Sequence, residues 1–151
     1  MQRNVVQRTL LRGSKAILKI ETLSHAEVTS FDSLASVGGK VWPSAEHLVS
    51  YFEKNNIDVS GKSILELGSG CGYTGIALAA LGASRVVLTD QLIKQNRLEY
   101  DFEGCLVENS HIIPSKILLD LCRDNIELNK AALKHSNVAA FELEWGEQNG
   151  S

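Results

Sequence analysis

The apolar and polar positions alternate between two periods along this chain. Ala16-Ile-Leu-Lys-Ile20 is rich in β-formers and is expected to pair with Ala26-Glu-Val-Thr29 as a hairpin, with His25 in the turn. From Ser44 to Lys54 the period changes to helical. Ala45, Leu48, Val49 and Phe52 mark one buried face, and Asn55-Asn56 ends the helix. His47 falls off that stripe and is expected to be exposed. Ile64 to Leu67 reads as a short buried strand. It runs into four glycines, Gly68, Gly70, Gly72 and Gly75, and then into a helix from about Tyr73 to Leu81, closed by Gly82. That helix is apolar all round, the mark of burial on more than one side. Arg85-Val-Val-Leu-Thr-Asp90 reads as a parallel strand covered on both faces. Residues 91–115 break the alternation and read as a lid or an insertion, because such folds pass from strand to helix in a few residues. Lys116 to Leu133 is the longest helical pattern, with Leu118, Leu119, Cys122, Ile126 and Leu133 on one stripe. Asn137 to Leu143 is a last strand.

The order from Ile64 onward is βαβαβ, which defines an α/β protein with a parallel sheet. A strand, a glycine turn and a helix in succession make the nucleotide-type binding corner of a doubly wound sheet. The boundaries that follow are an N-terminal extension over 1–36 and an incomplete α/β domain over 37–151.

Composition narrows the partners. The chain has 151 residues, 44% apolar and 22% charged, with a net charge of -3. One globular domain fits that length. The charge argues against a nucleic-acid partner, which usually meets a basic patch. Arg3, Arg8, Arg12, Lys15 and Lys19 are the one basic concentration, and they read as a solvated face. The three cysteines, Cys71, Cys105 and Cys122, are odd in number and far apart, against a disulfide framework or a zinc site. Cys71 reads as a turn filler and Cys122 as core. No apolar run reaches the ~20 residues of a membrane span. A cytosolic protein is the expectation, with the nucleus also open.

Two ligand classes fit the glycine corner. Gly70-x-Gly72-x-x-Gly75 matches the dinucleotide pattern, and Asp90 stands 20 residues after Gly70, where a ribose-binding carboxylate is found. S-adenosylmethionine is the second. It has a ribose and no phosphate. Glu66 favours it: a carboxylate in an apolar strand is costly without a partner, and a ligand ammonium would supply one. A pyrophosphate there would meet an unwelcome anion.

Ile64-Leu-Glu-Leu-Gly-Ser-Gly-Cys-Gly-Tyr-Thr-Gly75 resembles motif I of the class I, seven-β-strand methyltransferases. Val41-Trp-Pro-Ser-Ala45, Leu88-Thr-Asp90, Asp124-Asn-Ile-Glu-Leu-Asn129 and Glu142-Leu-Glu-Trp-Gly146, in this order, narrow the resemblance to lysine methyltransferase family 16. The resemblance implies a Rossmann-like doubly wound parallel sheet, S-adenosylmethionine as cofactor and a protein lysine as methyl acceptor. It also implies site roles. Gly68, Ser69 and Gly70 would line the cofactor, with Glu66 behind them. Asp90 would accept the two ribose hydroxyls, Trp42 would wall the pocket, and Trp145 would lie near the adenine.

The family's catalytic residues follow a fourth strand, and no counterpart is found before Ser151. The expectation is therefore a chain truncated after the third strand, with the C-terminal half of the fold missing. The catalytic residues are then unknown. Ile64 to Leu67 would become an exposed apolar edge. Two alternatives stand beside this reading: an inactive fragment that binds a partner over the open sheet edge, and a dinucleotide-binding domain.

Overall fold

The computed structural model describes residues 3–11, 15–23, 37–91, 93–95, 98–100, 106–108, 113–115, 117–144 and 146. At its centre three parallel strands run side by side. β3 (Ser63–Leu67) pairs with β4 (Arg85–Asp90), and β4 pairs with β9 (Asn137–Glu142). The register sets Leu65 beside Val87 and Ala139, and Leu67 beside Thr89 and Phe141. Alternation therefore gives the sheet two distinct faces. Ile64, Glu66, Val86, Leu88, Val138 and Ala140 lie on one, and the leucines and Phe141 on the other.

The first face carries the helices. α2 (Tyr73–Ala80) starts at Gly72, whose φ of 83° is left-handed, and is buried along nearly its whole length. It is apolar all round because the sheet lies on one side and α1 (Pro43–Lys54) on the other. Pro43 suits the first turn of α1, since its missing N–H would have no partner there. α3 (Ile117–Leu128) packs on β9 and β4 with Leu118, Leu121 and Cys122 in the core.

The second face is partly open among the described residues, with Thr89 buried and Val87 half-buried at its centre. Leu65, Leu67, Phe141 and Leu143 are exposed there. β4 was expected to be covered on both sides, but the described helices cover one. No helix among the described residues is long and apolar enough to cross a membrane.

Several expectations are corrected. β2 (Ile17–Leu23) pairs antiparallel with β1 (Arg3–Thr9), a partner the sequence did not suggest, while the partner expected for it, residues 26–29, lies outside the described residues. β1 is mostly polar and exposed, so its sequence carries no strand signal; its partner supplies Leu18 and Ile20, both fully buried. The basic residues of this segment are not simply solvated. Arg3 bridges Glu21 and Asp124, both at 2.7 Å, and Arg8 pairs with Glu53 at 2.9 Å. On α1 the buried positions are Val49 and Glu53, while Leu48 is exposed. α3 ends at Leu128, short of Leu133, although Leu133 is still buried. Residues 91–115 hold two short antiparallel pairs, one nested inside the other. β5 (Ile93–Gln95) pairs with β8 (Ile113–Ser115), and β6 (Leu98–Tyr100) with β7 (Leu106–Glu108). They stand apart from the parallel sheet. His25, Cys105 and Trp145 lie outside the described residues.

Candidate functional site

The site forms where β3 ends. Gly68, Gly70 and Gly72 all have positive φ, so the chain turns tightly from strand to helix. Gly70 is held to glycine by a neighbouring main chain. A Cβ there would strike the carbonyl oxygen of Gly38. The glycine turn and Gly38 are thus in backbone contact, while a Cβ on Gly38 itself would meet the Leu118 side chain.

Hydrogen bonds hold the turn against β4. Ser69 N–H donates to the Thr89 carbonyl at 2.9 Å, and Gly72 N–H to the Ser69 carbonyl at 2.8 Å. The Thr89 hydroxyl donates to the Glu66 carbonyl at 2.7 Å. Asp90 accepts the Gly70 N–H on Oδ2 at 2.7 Å and the Gln91 N–H on Oδ1 at 2.8 Å. Each carboxylate oxygen keeps further acceptor capacity.

Beside the turn is a cavity of about 230 Å3. Its wall includes Trp42, Glu66, Gly68, Ser69 and Gly70. Five of the seven residues picked from sequence therefore meet at one cavity. Asp90 is not in its wall but holds Gly70, which is. Trp145 is the seventh, outside the described residues. The wall also contains Lys40, Ser44 and Thr74, which sequence reasoning did not single out. Thr74 had a readable signal, since it opens the helix after the glycine turn.

Glu66 is the group with unusual electrostatics. Burial raises its carboxyl from the usual carboxylate range to about 7. Two hydrogen bonds, from the Gly75 N–H at 2.8 Å and from Thr74, oppose the shift, and nearby Asp90 adds to it. Among the described residues no cation pairs with it. Glu66 is half-buried, and a carboxylate shifted in this way beside a cavity marks a candidate site.

Trp42 is half exposed and donates from Nε1 to the Val37 carbonyl at 2.9 Å, which fixes its indole at the cavity rim. Cys71 is buried and burial pushes its thiol up to about 11, which keeps it in the thiol form that suits a turn filler. Cys122 is core, its thiol pushed up to about 12. No cluster of metal ligands is found among the described residues.

A glycine turn at the end of a parallel strand, a carboxylate at the end of the next strand and a carboxylate without a cation at the cavity, among the described residues, are brought together here. The model of the lysine methyltransferase family matches residues 26–118, and the chain belongs to that family. It is 46% identical over 61 residues to EEF1A lysine methyltransferase 3 of Mus musculus, covering 40% of this chain and 26% of that protein. It is 49% identical over 49 residues to the electron transfer flavoprotein beta subunit lysine methyltransferase of Homo sapiens, covering 32% and 19%. It is 35% identical over 85 residues to protein N-lysine methyltransferase METTL21A of Mus musculus, covering 56% and 38%. The matched stretches span well under half the length of these relatives.

Proposed function

We propose that the protein acts as an S-adenosylmethionine-dependent methyltransferase toward a protein lysine, on a Rossmann-like doubly wound sheet, with its cofactor in the glycine-corner cavity. The observation that carries this is Glu66. A half-buried carboxylate at the cavity wall, without a cation of its own among the described residues, suits a ligand that brings an ammonium. Gly68, Ser69 and Gly70 let the ligand approach the main chain, and Trp42 closes the rim. Asp90 keeps acceptor capacity for ribose hydroxyls. A dinucleotide is disfavoured, because its pyrophosphate would approach the Glu66 carboxylate.

When bound, the cofactor supplies a methyl group on a positive sulfur. The chemistry it would supply is methyl transfer to a neutral amine, which would have lost its proton to solvent beforehand. The described residues bind and orient; none of them is assigned the chemical step.

The test is calorimetric titration with S-adenosylhomocysteine and S-adenosylmethionine. Wild type binds, and Asp90→Ala weakens binding about tenfold or more, the loss of hydrogen bonds to a charged acceptor. Equal heats for the two proteins would remove the ribose role. A change in NADH fluorescence on titration would favour the dinucleotide instead.

A further inference from the structure

Asn125 lies on α3, is completely buried, and has every polar atom engaged. Its Oδ1 accepts the Glu21 N–H at 2.7 Å, and its Nδ2 donates to the Glu21 carbonyl at 2.9 Å. The amide thus pairs with β2 as a neighbouring strand would. Its second Nδ2 proton goes to the Cys71 carbonyl, also at 2.9 Å. Cys71 sits inside the glycine turn, between Gly70 and Gly72, both in left-handed backbone. One turn along, Asn129 repeats the first half only. It accepts the Lys19 N–H at 2.9 Å and donates to the Lys19 carbonyl at 2.7 Å, with its other bond to the Asn125 carbonyl at 2.7 Å. Both asparagines dock the hairpin. Only Asn125 also holds the turn.

We propose that Asn125 is a positioning residue: through the Cys71 carbonyl it fixes the glycine turn and couples it to docking of the N-terminal hairpin. A three-way amide with no spare bond cannot keep two partners while the third moves far. Ordering the turn therefore orders the hairpin, and by linkage the reverse holds. The ligand part of this inference rests on the cofactor reading above; the coupling itself rests on the hydrogen bonds alone.

Asn125→Asp keeps the shape and the acceptor but places an oxygen against the two carbonyls it now donates to. Asn129→Asp makes the same change without touching the turn. Amide hydrogen exchange on the full chain, without ligand, is the primary readout. Both variants should speed exchange at Lys19 and Glu21. Asn125→Asp alone should speed it at Gly70, Gly72 and Gly75, roughly tenfold or more for a lost hydrogen bond. S-adenosylhomocysteine affinity should fall about tenfold in Asn125→Asp and hold in Asn129→Asp. If wild type binds no S-adenosylhomocysteine, the cofactor reading fails and the exchange comparison still decides the coupling. Equal exchange at the turn in the two variants overturns it. Should Asn125→Asp not fold, Arg3→Gln loosens the hairpin beside Glu21 from the surface; turn exchange that rises with Glu21 exchange supports the coupling, and unchanged turn exchange overturns it.

Discussion

Glu53 on α1 and Glu66 on β3 each bring a carboxylate among apolar side chains. Around Glu53 the protein supplies the partners. Arg8 donates to Oε2 at 2.9 Å, and the Leu11 N–H donates to Oε1 at 2.6 Å. The partners arrive from β1 and the residues after it, so this ion pair fastens the N-terminal hairpin to α1. Around Glu66 the protein supplies the Gly75 N–H and Thr74 and no cation among the described residues. One carboxylate is neutralised within the fold and the other is left facing a cavity. The buried Glu53 is paired inside the fold, whereas the half-buried Glu66 has no cation among the described residues, and on the proposed reading that leaves it for a ligand.

The largest expected effect is on the structural side. Glu53→Ala strands Arg8 and should cost about 3 kcal/mol in urea unfolding, toward the low end for a buried pair because Arg8 still reaches solvent. Ligand affinity should hold. A loss under about 1 kcal/mol would place Glu53 with ordinary surface pairs.

Glu66 should behave in the opposite sense. Its folded value, about 7, lies above the unfolded one of 4.5. Its contribution to stability is therefore full below pH 4.5 and is lost as pH rises to about 7. Glu66→Gln should remove that slope and gain stability above pH 7, with on the order of 3 kcal/mol as a ceiling. Chemical unfolding across this range tests it; identical slopes in variant and wild type would mean that Glu66 does not titrate there.

Thr74→Val is a finer probe. It deletes one donor to Glu66 and should raise the carboxyl further, with a cost of about 1 kcal/mol at high pH and less at low pH. The smallest effect belongs to Leu48→Ala. Its side chain is exposed, so unfolding should shift by no more than about 0.5 kcal/mol.

The two acids also show what was legible in the sequence. The run from Ile64 to Gly75 could be read because strand, turn and helix are contiguous, and Glu66 stood out against apolar neighbours. Asp90 could be picked out because it stands 20 residues after Gly70, at the end of the next strand. Glu53 could not be read. A stripe drawn by hydrophobicity chose Leu48, and only β1, bringing Arg8 across, makes Glu53 the buried position. Asn125 and Asn129 were hidden for a related reason: their partners are backbone groups of Lys19 and Glu21, more than a hundred residues away, and backbone groups leave no mark on sequence. The polar strand β1 was missed because its pairing, not its residue pattern, makes it a strand.

The most direct test of the central claim is calorimetric titration of S-adenosylmethionine from below to above pH 7, the value to which burial raises Glu66. If the ionised Glu66 takes the ligand ammonium, affinity climbs as pH rises to about 7, by up to about tenfold per pH unit, and Glu66→Gln binds weakly without that climb. Tight binding by Glu66→Gln with the pH dependence of wild type would contradict the account.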